Sequence, residues 1–469
     1  MWTKGNLYLD LPRDCGDATA IAHRGREIPY GEFFESIDRF AAHIRARGVP
    51  IAGRVGIVGL EGPDLLAAIY GCAKVGAVSV PLPRGDPARN EAALEAARAR
   101  LVLSECPDSL PEASDVAAHP EAMVIFTSGT TSEGRKGVIL GHEGISSTAA
   151  FMNKAMGVDA SIRECVFAPL DHAFGFGRCH AVLMTRGTLL LQEERLGFEP
   201  LFESLAAPGT NALSTVPSVL ATLLRLSRKR FETAGAGLRW VQTGAMRFDR
   251  SFRDTLCEAF PNARIYLHYG LSEAMRVTFM ELHGEAGKRH TEGRPSAGVE
   301  IAILGESGER LGPGREGTIA IRGRNLALGY LNEDAWRASC RDGWFVTADR
   351  GSLDEDGYLV FAGRSDDVIN ANGNMVHPDE IEARLHRLLA KRAFSVLGMP
   401  DPRGVKDKIV VLAIEGRAEC TAEDIAREME GAADFMIPRI VISLERLPRT
   451  ASGKVSRAQL AKELAGRLT

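Results

Sequence analysis

The stretch Val124-Ile125-Phe126-Thr127-Ser128-Gly129-Thr130-Thr131-Ser132-Glu133-Gly134-Arg135-Lys136-Gly137-Val138-Ile139-Leu140 decides how the rest of the chain is read. An apolar, β-prone run (Met123 to Phe126) feeds a loop of hydroxyls and glycines, and a second apolar run follows it. Glycine permits close backbone approach, so such a loop can aim N–H groups and hydroxyls at phosphate oxygens. Arg135 and Lys136 supply its cationic end. Gly129 and Gly134 have the spacing of a P-loop, Gly-x-x-x-x-Gly-Lys-[Ser/Thr]. Arg135 stands where that motif needs its lysine, and Lys136 where it needs the Mg²⁺-binding hydroxyl, so the P-loop reading fails at two informative positions. Taken alone, a Ser/Thr/Gly loop is as often as not a plain surface turn. Its surroundings have to decide.

Those surroundings alternate strand and helix. Upstream, Tyr30-Gly31-Glu32-Phe33 opens a helical pattern with Phe33, Ile37, Phe40, Ala41 and Ile44 on one face. Gly48-Val49-Pro50 ends it. Strands are expected over Arg54–Leu60 and Ala77–Pro81, with an apolar helix from Asp64 to Val75 between them, and another strand near 100–104. Downstream come helix 144–156, strand 164–168, helix 217–229, and strands 239–243 and 264–268. This alternation predicts parallel α/β layers. Beyond about residue 290, short β runs with glycine turns (Val299–Leu304, Gly317–Arg322, Tyr358–Ala362) predict a small β subdomain. From Asp367 a helix (Pro378–Leu389), two strands (Ala393–Met399, Ile409–Ile414) and a second helix (Ala422–Glu430) predict a separate α+β domain. The expected architecture is therefore α/β: a large N-terminal domain, residues 1–364, of layered α/β subdomains plus a small β subdomain, hinged to a small α+β domain, 365–469.

Composition narrows the function classes. A chain of 469 residues is too long for one ordinary core. Its 45% hydrophobic and 25% charged residues are ordinary for a soluble protein, and a net charge of −4 gives no bulk attraction to nucleic acid or to an anionic membrane. The eight cysteines are dispersed without a Cys-x-x-Cys pair, which favours reduced thiols over a disulfide framework or a zinc site. Met1-Trp-Thr-Lys-Gly-Asn lacks the apolar core of a signal peptide. Glu61, Asp64 and Lys74 interrupt the apolar stretch from Val55 to Leu82, so no membrane span is expected there. The expectation is a soluble, cytoplasmic protein with small-molecule partners.

The loop resembles the phosphate loop of the AMP-forming adenylating enzymes (acyl-CoA synthetases, adenylation domains and luciferases), usually Thr-Ser-Gly-Thr-Thr-Gly-x-Pro-Lys-Gly-Val. It departs where Ser132 replaces a glycine, where Gly134-Arg135 stands in place of proline, and by one extra residue before Lys136. Further pieces follow in that family's order. Pro169-Leu170-Asp171-His172-Ala173-Phe174-Gly175 resembles Pro-x-x-His-x-x-Gly, which implies that the His172 ring stands beside the acyl carboxylate. Thr243-Gly244-Ala245 resembles the backbone that faces adenine. His268-Tyr269-Gly270-Leu271-Ser272-Glu273 resembles Tyr-Gly-x-[Ser/Thr]-Glu: Tyr269 would lie against adenine, Ser272 would reach the phosphate, and Glu273 would hold Mg²⁺. Gly317–Gly323 and Gly329-Tyr330 match a structural β motif with no chemistry assigned. Trp344-Phe345-Val346-Thr347-Ala348-Asp349 resembles Trp-Phe-x-Thr-Gly-Asp, with Ala348 for the glycine, and puts Asp349 on the ribose hydroxyls. Gly363-Arg364-Ser365-Asp366-Asp367 resembles the hinge motif, with Arg364 on ribose or phosphate and Asp366 taking up a domain rotation. Leu447-Pro448-Arg449-Thr450-Ala451-Ser452-Gly453-Lys454-Val455-Ser456-Arg457 closely matches Pro-[Arg/Lys]-Thr-x-x-Gly-Lys-[Ile/Val]-x-Arg. Singly, a loop histidine, a charged turn or a C-terminal Gly-Lys is ordinary surface; the whole series in order is not.

The resemblance implies two half-reactions. A carboxylic acid attacks the α-phosphorus of Mg-ATP to give an acyl-adenylate and pyrophosphate, and a thiol then displaces AMP to give a thioester. Thr127, Ser128, Thr130, Thr131 and Lys136, with Gly129 among them, would hold the β- and γ-phosphates. Lys454 would bridge the carboxylate and the α-phosphate, where negative charge gathers. Coenzyme A is the family's default acceptor; a carrier-protein phosphopantetheine arm uses the same tunnel, as in acyl-carrier-protein ligases of secondary metabolism. An α-amino acid is disfavoured, because Ala173 fills the position where amino-acid-activating relatives carry aspartate; Asp171, one register away, keeps that alternative open. Arg276 is read either as a contact for a polar or acidic substrate tail or as a surface arginine. A non-catalytic nucleotide-binding relative is motivated by the altered loop and by Ala348.

Overall fold

Two runs without a charge at their centres, Val78–Leu82 and Gly137–Gly141, form strands buried at every position, the pattern of a sheet covered on both faces. The computed structural model describes residues 5–84, 87–107, 116–127, 136–192, 197–244, 250–365, 367–371, 374–389, 392–401, 408–417, 420–450 and 455–465. Ser128, Gly129, Thr130, Thr131, Ala245, Asp366 and Lys454 lie outside the described residues. The chain forms two compact units. One takes in the chain up to Thr127, the stretch ending at Glu300, and Ile321–Phe345; the other takes in Ile301–Ala320 and the chain from Val346 onward.

The first unit holds two sheets. One has Val78–Leu82 between Arg54–Val58 and Glu121–Phe126, all parallel, with Leu101–Leu103 beyond Arg54–Val58. On its other side Gly137–Gly141 returns antiparallel to Glu121–Phe126, so the two runs flanking the phosphate loop form a hairpin, and Gly329–Tyr330 pairs at its edge. The second sheet runs in the spatial order Arg264–Tyr269, Trp240–Gly244, Ala212–Thr215, Arg163–Phe167, Thr188–Leu191, Thr19–His23, parallel throughout, with antiparallel strands at both ends. The expected parallel layers are thus present. The helix Tyr30–Ala46 buries Phe33, Ile37, Phe40, Ala41 and Ile44 as its periodicity requires.

The helix Ala173–Leu183 follows directly on the His172 motif and has no sequence periodicity to announce it. Every residue from Phe174 to Leu183 is buried, including Arg178 and His180. A helix covered on all sides shows no polar face, so the 3.6-residue signal vanishes. Arg178 is accommodated by a two-pronged pair with Glu164 on the strand Arg163–Phe167, with Nε and Nη2 each 2.7 Å from a carboxylate oxygen and both side chains fully buried.

In the second unit the strand Trp344–Leu353, from Asp349 on, pairs antiparallel with Leu359–Arg364. Phe394–Pro400, Lys408–Glu415 and Ile440–Leu444 form a three-stranded sheet. The helix Pro378–Leu389 covers it through Ile381, Leu385 and Leu389. The helix Ala422–Glu428 begins with a capping box, Thr421 and Asp424 satisfying each other's backbone N–H groups. The mixture of helix and sheet expected after Asp367 is found, with boundaries moved by a residue or two.

Candidate active site

The two ends of the phosphate loop meet at the mouth of its hairpin. The Thr127 N–H donates to the Lys136 carbonyl at 3.0 Å, beside the pair Phe126 and Gly137. Tyr330 sits opposite Val138 across the strand edge. Lys136 Nζ lies 5.3 Å from the centre of the Tyr330 ring, and the Tyr330 hydroxyl donates to Glu273 Oε1 at 2.7 Å. Glu273 follows the strand Arg264–Tyr269 through a tight turn closed by the Leu271 N–H on the Ala274 carbonyl, 2.8 Å. A Cβ at Gly270 would stand 2.6 Å from the Arg276 nitrogen, so the turn accepts only glycine there. On the far side, Ala327 N–H donates to the Glu273 carbonyl at 2.8 Å and Met275 N–H to Asn325 at 3.1 Å. These contacts pin the Glu273 main chain, and Tyr330 holds its carboxylate. Tyr330, read from the sequence as structural only, is the residue that touches both Glu273 and Lys136.

A carboxylate, a lysine without a carboxylate partner among the described residues, and a threonine at the loop's root suit Mg²⁺ and polyphosphate: hard oxygen for the ion, N–H and cation for the phosphates. Among the described residues no group of three or more His, Cys, Asp or Glu side chains is placed to hold a metal. Tyr269 and Ser272 bracket the same turn and are half-buried. Gly244 ends the neighbouring parallel strand, level with His268.

The motif around His172 is a closed turn. Its N–H reaches the Pro169 carbonyl at 3.4 Å, and a Cβ at Gly175 would meet that oxygen at 2.2 Å, which is why glycine ends the motif. His172 precedes the helix Ala173–Leu183 and is a quarter exposed. Its Nδ1 lies 3.0 Å from Asp171 Oδ1. An ionised carboxylate only accepts, so Nδ1 is the donor of this pair and Nε2 is the ring edge left for the substrate. Behind the turn, Phe174 packs on His268, ring centres 5.1 Å apart. His268 is buried, and burial first, then the Arg276 charge, pushes its pKa well below the usual histidine value, so it stays neutral. Arg276 is no surface arginine. It is buried and its Nη1 and Nη2 donate to the carbonyls of Ala173 and Phe174 at 2.9 Å each.

Asp349 and Arg364 meet in the second unit, Oδ1 to Nη1 at 3.1 Å, and are directly paired across their strands. Asp349 is buried and Arg364 half-buried.

The chain matches the AMP-binding enzyme family over residues 11–121 and 107–331. The chain belongs to that family. It is similar to a feruloyl-CoA synthase of Amycolatopsis sp, 29% identical over 98% of both chains. It is also similar to an oxalate–CoA ligase of Arabidopsis thaliana, 30% identical over 77% of this chain and 71% of the other. In fold it is similar to the o-succinylbenzoate CoA synthetase of Bacillus subtilis solved with its acyl-adenylate intermediate: TM-score 0.85, 22% identity, covering 97% of this chain and 98% of that one. The chain is an AMP-forming acid–thiol ligase: it activates a carboxylic acid as the acyl-adenylate and passes the acyl group to a thiol. Among its described residues no helix is long and apolar enough to cross a membrane.

Proposed function

We propose that this ligase takes a carboxylic acid other than an α-amino acid, and that coenzyme A is its acceptor. The observation that supports the site reading is that Tyr330 hydrogen-bonds Glu273 while its ring lies 5.3 Å from Lys136 Nζ. Carboxylates are poor acyl donors, and AMP is the leaving group that makes transfer possible. The chemistry needs positioning and charge stabilisation more than covalent help. Thr127, Ser128, Thr130, Thr131 and Lys136 hold the β- and γ-phosphates, Tyr269 and the Gly244-Ala245 backbone face adenine, Asp349 takes the ribose, Arg364 the ribose or a phosphate, and His172 offers Nε2 beside the acid. Glu273 would hold Mg²⁺, which would offset the charge of the phosphates.

Two details speak against an α-amino acid. Ala173 has no carboxylate for a substrate ammonium, and the Asp171 carboxylate is engaged by His172. Coenzyme A is favoured over a carrier protein by the CoA-ligase relatives that match this chain nearly end to end. Pyrophosphate release from ATP across aryl, short-chain and long-chain acids, with mass spectrometry of the thioester, tests the whole reading. ADP in place of AMP, or an absence of pyrophosphate with every acid, overturns it.

Glu273→Gln keeps the shape and the Tyr330 hydrogen bond while removing the charge. Adenylation falls, and part of the loss returns at high Mg²⁺. An unaltered Mg²⁺ dependence would take Glu273 out of the metal site.

Asp366 is proposed as the pivot between the half-reactions. Its neighbours are anchored to different places: Ser365 N–H and Oγ both donate to the Ala348 carbonyl at 2.8 Å, while Asp367 is clasped by Arg457 at 2.6 Å. Arg457 also pairs with Asp379 and Glu382, at 2.6 and 2.9 Å. Backbone rotation confined to one residue between two anchored ones is the few-residue hinge expected for such motions. Asp366→Pro fixes φ near −65°. Adenylation survives, and thioester formation drops by about tenfold or more, roughly 1.4 kcal/mol on the barrier. Full turnover in the proline variant would exclude the pivot.

A further inference from the structure

Arg276 lies three residues beyond Glu273, is 3% exposed, and holds a left-handed backbone conformation with φ 45°. Side-chain-bearing residues seldom adopt that conformation, and where they do a site is often nearby. The other deeply buried arginines, Arg178 and Arg253, are paired with Glu164 and Glu292. Arg276 has no such partner among the described residues. Two of its donors go to the Ala173 and Phe174 carbonyls, and its Nε is buried without a hydrogen bond among the described residues. Its cation therefore sits at the first turn of the helix Ala173–Leu183, the positive end of that helix's dipole. Burial, and then the like charge of Arg178, pull its pKa down to about 9. Two carbonyls and the Phe174 ring, 5.3 Å away, face this charge without neutralising it, and two positive features converge on the turn that carries His172.

We propose that Arg276 is a positioning residue of the acid site: it pins the His172 turn, and its charge takes the incoming carboxylate as counter-ion. This rests on the reading that the His172 turn faces the acid. The consequence is specific. The acid keeps much of its negative charge until the adenylate has formed, so the attraction acts on the bound acid and on the transition state alike and not on the product. Removing it raises KM for the acid and leaves kcat largely intact.

The test uses the full-length chain at saturating Mg-ATP. The acid is whichever of ferulate, phenylacetate, oxalate, butyrate and decanoate wild type turns over fastest. Arg276→Met raises KM for that acid about tenfold, with kcat and KM for ATP close to wild type, the split expected for loss of binding shared by the ground state and the transition state. Arg276→Lys, which keeps the charge, recovers most of the affinity. Arg276→Gln, neutral but still able to donate to one carbonyl, behaves like the methionine variant and decides the matter if that variant does not fold. An unchanged KM for the acid in either neutral variant overturns the proposal. So does a parallel loss of kcat, ATP affinity and thermal stability, the signature of a purely structural arginine. If Lys454→Ala and Glu273→Gln lose adenylation as expected while the neutral Arg276 variants keep the acid KM, this inference alone falls. If none of the five acids releases pyrophosphate, the reading of the acid site falls with it.

Discussion

Replacing Lys454 by alanine lowers the rate of adenylate formation about a hundredfold or more, roughly 3 kcal/mol, the worth of one well-placed donor at developing charge. Thioester formation from supplied acyl-adenylate stays near the wild-type rate. The reason is the timing of charge. A lysine at the α-phosphate helps while pyrophosphate leaves and has nothing to stabilise once the adenylate exists. The described residues on either side of Lys454 are held in place. Arg449 and Val455 are bridged antiparallel, Ser456 N–H donates to the Pro448 carbonyl at 2.8 Å, and Arg457 is clasped by three carboxylates. Single-turnover measurement of each half-reaction checks this. Equal loss in both would remove Lys454 from the adenylation step.

Arg178→Met destabilises the first unit by about 3–5 kcal/mol, because it leaves the Glu164 carboxylate buried and unpaired. Ser214 Oγ still donates to that carboxylate at 2.5 Å, but one hydroxyl does not replace a two-pronged guanidinium. A drop of about 10 °C in the unfolding midpoint is expected at the usual few degrees per kcal/mol. Glu164→Gln added to Arg178→Met restores part of it, since the pair and not either member alone is what the core tolerates. A shift of only a degree or two in the single variant would show that the pair contributes little. The helix Ala173–Leu183 carries Arg178 and begins at the His172 turn, so the same variant loosens the acid site, and its activity falls at temperatures below its own unfolding.

Where the chain has one buried and one wet face, its sequence was enough. The helices Tyr30–Ala46 and Pro378–Leu389 are legible because their apolar residues recur on one side. Strands such as Val78–Leu82 are legible because both faces are covered. The order of short motifs was sufficient for the family, because each motif is local: Gly175 and Gly270 are glycines for reasons that lie within six residues of them.

What the sequence by itself determined, then, is local: the alternation of strand and helix, the loop between two apolar runs, and the residue types at Glu273, His172 and Lys454. The tertiary structure decided which side chains meet. Glu273 finds Tyr330 across 57 residues, Arg276 finds the carbonyls of Ala173 and Phe174 across more than a hundred, and Arg178 becomes a core residue because Glu164 waits on the adjoining strand. The physical reason is that burial carries a periodic signature along the chain, whereas a hydrogen bond or an ion pair is satisfied by any partner of the right kind that the fold delivers within about 3 Å. A buried arginine, a charged turn and a surface arginine are spelled with the same letter, and only packing tells them apart.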